Sequence, residues 1–304
     1  MDRSPPPSPL SGRRSWRWFK RIYAAATLAV LAWALFAAWP SLRHWDVATL
    51  LPGALAAMAG WLVMVFLLGC GWAGALDAWS GLRLRLVEWL PMQISAWIGR
   101  YLPGKLGLLA GKMQVCERGV GWKRVTGSVL SEQAAFVGSG LALSALALPY
   151  WLPLMPAGAA WHPTAWLLAL MAPALVLAGL GAWASGRQLP DADAAWSLRL
   201  LGWSTLAHMA AGAGFHLLLA SLIADPPGLM ASIGLLAAAH TAGVLAIFAP
   251  AGLGVRELVI AAALAPVLGW PQATAITALQ RALVVVADAG MAAAAVAISR
   301  CARR

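Results

Sequence analysis

The chain has 304 residues, of which 61% are hydrophobic and only 11% are charged. An ordinary soluble domain carries about 25% charged residues. Apolar windows of roughly 20 residues, long enough to cross ~30 Å of hydrocarbon, recur along most of the chain. The composition therefore predicts a membrane protein and leaves no stretch for a separate soluble domain.

The formal net charge is +11, and its distribution decides how it is interpreted. Basic residues concentrate before the first apolar run at 13–21, in a cluster at 83–124, and at the C-terminal end. Such clusters are typical of the cytoplasmic loops of polytopic membrane proteins. They predict a cytoplasmic N-terminus, and they argue against nucleic-acid binding.

In chain order, residues 1–18 are proline-rich and polar and predict a disordered cytoplasmic tail. A single transmembrane domain is predicted over 19–300, with halves at about 48–150 and 198–298, followed by a basic end at 301–304. Seven apolar segments within the domain predict membrane spans, at 20–39, 48–76, 125–148, 164–184, 198–222, 229–248 and 273–298. The predicted fold class is an all-α polytopic transmembrane bundle.

Two further segments, 84–118 and 251–270, each combine helical stretches with a proline and glycine break. The alternation of loops places the basic C-terminus inside only if 257–270 crosses as a short span. We favour this interpretation, which gives eight spans. The alternative is seven spans, in which the last span ends outside.

The two breaks resemble each other, with PGKLG at 103–107 and PAGLG at 250–254. The offset is 147 residues, and the same offset pairs Gln133 with Gln280. Proline removes a helical hydrogen bond and glycine frees the backbone, and such a backbone is tolerated at membrane depth only against protein or a wet cavity. Paired interruptions therefore predict a candidate internal repeat with a transporter-like site.

Three basic residues surround the first break, namely Arg100, Lys105 and Lys112. The two lysines are seven residues apart and share a face of the helix that follows the break. This pattern predicts a site for a phosphate group. The alternative is that these residues are cytoplasmic anchors that touch acidic lipid headgroups.

Away from the span ends, three charged residues lie within predicted spans, namely Glu132, Arg281 and Asp288. Charges in hydrocarbon cost several kcal/mol unless they are paired or hydrated, so each is a functional candidate. About 10 Å of helix rise separates Arg281 from Asp288, which predicts partners on other helices. The alternative is a structural ion pair that holds the bundle together.

The sequence supplies no pattern for catalysis or metal binding. Three histidines, at 208, 216 and 240, have no cysteine or carboxylate placed to complete a ligand set. The three cysteines are odd in number and widely spaced, so no disulfide is predicted. We expect no enzyme activity, no metal and no cofactor.

The motifs RYLPGKLG, CERGVGWKR, SVLSEQ and PAGLGVRE resemble the lysylphosphatidylglycerol synthase transmembrane-region family over most of the chain after the tail. This family includes the flippase half of the multiple peptide resistance factor and stand-alone membrane proteins. The resemblance implies a bundle that moves an anionic or aminoacylated lipid between leaflets. The matching motif positions are Arg100, Pro103, Gly104, Lys105, Gly107, Glu132, Pro250, Gly252, Gly254, Arg256 and Glu257.

Two departures from the family pattern qualify that resemblance. Ala251 stands where many members have a second glycine. No segment resembles the soluble aminoacyl transferase domain, so we do not expect this chain to make lysylphosphatidylglycerol. Another protein would then supply the lipid.

The leading hypothesis is a lipid flippase or lipid-transport protein of the inner membrane, whose partner is a lipid with an anionic headgroup. In it the first break, with Lys112, receives the headgroup, the second break lines the cavity opposite, and Arg256, Glu257, Arg281 and Glu132 gate or neutralise it. A second hypothesis is a non-transporting membrane partner that recruits a lipid-synthesis enzyme such as a glycosyltransferase. A third is an intramembrane enzyme acting on a polyprenyl-type lipid, although the sequence has no acidic cluster for magnesium.

Overall fold

The computed structural model describes residues 46–101, 106–151, 194–246 and 249–301, and every regular element in this part of the chain is helical. The described α-helices are α1 Val47–Ser80, α2 Leu86–Gly99, α3 Leu106–Lys112, α4 Trp122–Trp151, α5 Ala194–Ala220, α6 Leu229–Leu245, α7 Val255–Leu268 and α8 Trp270–Cys301. The all-α prediction is confirmed for these residues. The predicted tail 1–18 and the predicted spans 20–39 and 164–184 lie outside them.

Three of the described helices are long and apolar enough to cross a membrane, at Val47–Ser80, Trp122–Tyr150 and Trp270–Ile298. They contain the predicted spans 48–76, 125–148 and 273–298. The helices α5 and α6 stand where two further spans were predicted. The helical content and these lengths support a membrane protein.

Local sequence sets the boundaries around the first long helix. The Asp46 side chain accepts a hydrogen bond from a first-turn backbone N–H, which caps α1. Gly81 ends the same helix with φ of 69°, a left-handed conformation that glycine adopts without steric cost. The next helix begins where the Glu88 carboxylate accepts a hydrogen bond from the backbone N–H of Arg85 at 2.8 Å. A five-residue turn therefore separates α1 from α2.

The first broken segment is an antiparallel hairpin of α2 and α3. Gly99 packs against Gly107, and Ala96 packs against Gly111. The two helices therefore run antiparallel, because earlier residues of α2 contact later residues of α3. A Cβ atom added at Gly99 or Gly107 would overlap the backbone of the other glycine. Gly107, a predicted site residue, is therefore needed for the close approach of two helices. The segment returns towards the end of the bundle from which it began.

The second break, between α6 and α7, is a left-handed turn. Ala251, Gly252 and Gly254 all have positive φ, at 51°, 69° and 83°. Gly252 also lies against the backbone of Gly243, where a Cβ atom would overlap it. Glycines at 252 and 254 therefore let the chain reverse beside α6.

Ala251 is the only non-glycine residue with positive φ in the described part of the chain. A left-handed conformation costs an alanine roughly 1–2 kcal/mol. We expect Ala251→Gly to raise the free energy of unfolding by about 1 kcal/mol, since relief of strain exceeds the added flexibility of the unfolded chain. Thermal unfolding in one detergent checks this, with Ala249→Gly as the control for added flexibility. A melting temperature that falls equally in both variants contradicts it.

The described helices repeat in order along the chain. The starts of α1 to α4 precede those of α5 to α8 by 147, 143, 149 and 148 residues respectively. The packing shows the same correspondence between α1–α4 and α5–α8. Helix α1 packs on its equivalent, α5, and the contact of α2 with α8 corresponds to the contact of α6 with α4. This exchange is what a two-fold related internal repeat produces, and it supports the repeat expected from the breaks.

A hydrophobic core lies where the two repeats meet. It includes side chains from α1, α5, α6, α7 and α8, such as Met64, Leu218, Leu236, Leu264 and Ile276, all of which are fully buried. Packing of this kind holds the second break inside the bundle. It also places the polar groups described below away from solvent.

Candidate functional site

The end of α2 touches the second break in the interior of the bundle. The backbone N–H of Ala251, in the second break, donates a hydrogen bond to the carbonyl of Arg100, at the end of α2, over 3.1 Å. A backbone group of the second break is thus satisfied by the residue that ends α2. Pro103, Gly104 and Lys105 lie outside the described residues, so the expectation that the two breaks share one location stays a prediction.

A cavity of about 50 Å³ lies beside this contact. Its described walls come from both repeats and include Trp61, Trp97, Arg100, Gln133, His240 and Arg256. The walls are largely apolar and aromatic, with a few polar groups among them. Ligand sites in proteins have this character.

Arg100 is held by an acid from the other repeat. Its guanidinium lies 2.5 Å from the carboxylate of Asp288, which also accepts hydrogen bonds from the Tyr101 hydroxyl at 2.7 Å and the Trp61 indole at 2.9 Å. The ring centroids of Trp61 and Trp97 lie 4.8 Å and 4.4 Å from the guanidinium carbon. Asp288 therefore has three donors, none of them on its own helix, as predicted for a charge within a span.

Arg256 differs from Arg100 because two of its donor atoms have no partner among the described residues, whereas Arg100 has one, Nε. Its side chain is 5% exposed, and neither Nε nor Nη2 has a hydrogen-bond partner among the described residues. These two atoms form one edge of the guanidinium, the edge that binds a carboxylate or phosphate through two parallel hydrogen bonds. The guanidinium also lies over Trp61, with 5.2 Å between the guanidinium carbon and the ring centroid. The cavity wall thus carries a buried, unsatisfied, bidentate donor.

Arg281 and Glu257 lie next to this group. The carboxylate of Glu257 accepts a hydrogen bond from the backbone N–H of Gly254 at 2.8 Å, which caps the start of α7. The same carboxylate is 3.7 Å from the guanidinium of Arg281. Arg281 also faces the Tyr101 ring, with 5.6 Å between guanidinium carbon and ring centroid. Arg281 and Glu257 therefore form a loose pair at the edge of the arginine cluster.

Lys112 and Glu132 are placed differently from the expectation. Their side chains form a buried ion pair with each other, and the Lys112 ammonium lies 4.4 Å from the centroid of Trp72. Neither residue is part of the described cavity wall. The reason is the hairpin, because α3 runs back along α2 and carries Lys112 away from the break. The expectations that Lys112 contacts the headgroup and that Glu132 gates the cavity are therefore not supported.

The histidines differ in their hydrogen bonds. His208 bonds through Nε2 to the carbonyl of Phe136 at 3.0 Å, and His216 bonds through Nδ1 to Ser232 at 3.2 Å. His240 lines the cavity, and neither of its ring nitrogens has a partner in the described part of the chain. Within the same residues, no three histidine, cysteine or acidic side chains come together as a metal site.

Sequence reasoning therefore identified part of the site. Arg100 and Arg256, two candidate residues from the sequence, line the cavity, and the turn at Pro250 lies against the end of α2. It missed His240 and Trp61, which resemble many other residues of apolar helices. Only its position in α6, the helix that precedes the second break, sets His240 apart.

Fold and site together define a class: an all-helical bundle with membrane-length helices and a buried, cationic cavity where two broken segments meet. Comparison with models of known families and with curated proteins finds no match to this chain. The family resemblance therefore stays an expectation that the motifs carry.

Proposed function

We propose that this chain is a lipid flippase or lipid-transport protein that handles an anionic or modified lipid, as a stand-alone member of the lysylphosphatidylglycerol synthase transmembrane-region family. The observation that carries the proposal is the free donor edge of Arg256 inside the cavity. A buried guanidinium without a full set of partners is costly, and an anionic ligand removes that cost.

The positive charge of the region favours an anion. Arg256 is within electrostatic reach of Arg281, Glu257 and Arg100. Arg100 and Arg281 each have a carboxylate partner, which leaves Arg256 as the excess charge among these groups. A headgroup phosphate would bind there, while acyl chains would extend along the apolar and aromatic wall.

The hairpins suggest how the site is reached from both leaflets. We propose that the hairpin of α2 and α3 enters from the cytoplasmic side, where the basic cluster lies, and that the hairpin of α6 and α7 enters from the opposite side. A 14-residue helix such as α7 rises about 21 Å, less than the ~30 Å of hydrocarbon. This arrangement replaces the crossing at 257–270 and gives six full spans with two re-entrant hairpins. It also returns the basic C-terminus to the cytoplasm.

In this scheme the cavity lies between two inverted halves. Rocking one half against the other would expose it first to one leaflet and then to the other, as in transporters built from inverted repeats. The contact of Asp288 in α8 with Arg100 at the end of α2 connects the halves at the point where they would move.

Leaflet exchange of a tail-labelled fluorescent phosphatidylglycerol in proteoliposomes tests the proposal. We expect the wild-type chain to accelerate exchange and Arg256→Gln to slow it at least tenfold, since loss of a charged bidentate contact corresponds to about 1.4 kcal/mol or more. Glutamine keeps hydrogen-bonding capacity and removes the charge.

The matched control is Arg83→Gln, which removes an exposed arginine paired with Asp77 at 3.2 Å. Its exchange rate is expected to equal that of the wild type. If Arg256→Gln and the wild type exchange lipid equally fast, or if neither exceeds empty liposomes, the cavity has no transport role.

A further inference from the structure

His240 is an unused polar group in the wall of the cavity. It is 4% exposed, and neither Nδ1 nor Nε2 has a hydrogen-bond partner among the described residues. Its ring lies 5.6 Å from that of Trp61 and 6.2 Å from that of Phe136, measured between centroids. The ring is thus fixed by aromatic neighbours while both of its polar atoms remain available.

His240 and Arg256 belong to one pocket. Both line the cavity, and the Trp61 ring contacts both. A neutral imidazole offers one donor and one acceptor. A hydroxyl group, which also donates and accepts, matches it. The pocket therefore has a charged bidentate donor next to a neutral partner suited to hydroxyls.

The same pocket is poorly suited to an ammonium group. The charged side chains in its described wall are Arg100 and Arg256, both cations. The nearby carboxylate of Asp288 already accepts from three donors. A cationic headgroup would meet repulsion, because the described wall has no carboxylate to balance it.

The net charge of the arginine cluster indicates the charge of the ligand. Three arginines, at 100, 256 and 281, are matched by two carboxylates, at 257 and 288. Among the described residues, one positive charge is left over, which a single phosphodiester neutralises. A phosphate monoester or diphosphate would bring more negative charge than these groups balance.

We propose that the cavity binds a hydroxylated phosphodiester monoanion, the headgroup chemistry of a glycerol-type phospholipid, with the phosphate on Arg256 and a headgroup hydroxyl on His240. This inference rests on the proposed function, because the phospholipid is the cargo. It departs from the resemblance, which allows an aminoacylated lipid.

Competition binding to the full chain in nanodiscs tests the headgroup, with a tail-labelled phosphatidylglycerol as the reporter. Three unlabelled competitors are compared: phosphatidylglycerol, phosphatidylmethanol, which has the same charge and no hydroxyl, and lysylphosphatidylglycerol. We expect phosphatidylglycerol to bind about tenfold more tightly than either of the others, a ratio equivalent to about 1.4 kcal/mol.

Variants assign the two contacts. His240→Phe keeps an aromatic ring against Trp61 and Phe136, and it is expected to remove the preference for phosphatidylglycerol over phosphatidylmethanol. Arg256→Gln is expected to weaken both lipids at least tenfold. His216→Phe, at a histidine bonded to Ser232, is the matched control and should leave the ratio unchanged.

The outcomes separate the two proposals. If wild-type protein binds phosphatidylglycerol and phosphatidylmethanol equally, or prefers the lysyl lipid, the headgroup inference fails while anionic-lipid transport stands. If soluble glycerophosphoglycerol binds as tightly as the phospholipid, the headgroup chemistry stands and the lipid cargo fails. If no anionic lipid binds, both fail.

Discussion

Replacing Lys112 with methionine is expected to lower the free energy of unfolding by about 3–5 kcal/mol, because the change leaves the Glu132 carboxylate buried without its counter-ion. Both side chains are almost fully inaccessible, at 1% and 3% exposure. Methionine keeps the volume and much of the contact with Trp72. The loss therefore reports the unpaired charge and not a cavity. Equilibrium unfolding of the full chain in mixed micelles measures it.

The double variant Lys112→Met with Glu132→Leu separates charge from packing. Replacing both partners of a buried pair with apolar residues is often neutral or stabilising, so we expect the double variant to recover most of the stability. Arg83→Gln breaks an exposed pair and should cost less than about 1 kcal/mol. Single and double variants that lose equal stability would contradict a structural ion pair.

Replacing Asp288 with asparagine is expected to destabilise the chain by about 3–5 kcal/mol as well, since it leaves Arg100 charged and buried. Asparagine retains an oxygen for the Trp61 indole, so the packing against Trp61 is kept. Leaflet exchange should also fall, because this contact connects the end of α2 to α8 and so joins the two repeats. Unfolding and exchange are measured on the same preparation.

The double variant Asp288→Asn with Arg100→Gln tests the pairing itself. Its loss of stability should be smaller than the sum of the two single losses by more than 1 kcal/mol, as residues in direct contact are coupled. Additive losses would mean that the 2.5 Å contact contributes nothing specific. Exchange that survives in Asp288→Asn would remove this contact from the transport mechanism.

The sequence identified the helices well because their signal is local. Apolar runs of membrane length predicted α1, α4 and α8, and each is found within a few residues of its predicted bounds. The breaks were also visible, since proline and glycine act on the backbone wherever they stand. Their spacing of 147 residues pointed to a repeat that the helix order supports.

The partners of charged residues were harder to predict, because pairing depends on which helices meet. Lys112 and Lys105 share a helical face by spacing, and spacing predicted a joint phosphate site. The close packing of Gly99 on Gly107 folds α3 back along α2, and Lys112 meets Glu132 instead. Close helix packing at glycine thus determines which residue Lys112 contacts.

Composition, hydrophobic length and broken motifs by themselves determined a helical, membrane-type chain with two related breaks and a set of unusual charges. Each of these follows from neighbouring residues along the chain. Only the tertiary structure decided which charges are satisfied, as with Arg100 on Asp288, and which remain free, as with Arg256. Whether a buried donor finds an acceptor depends on groups many residues away, and packing alone brings those groups together.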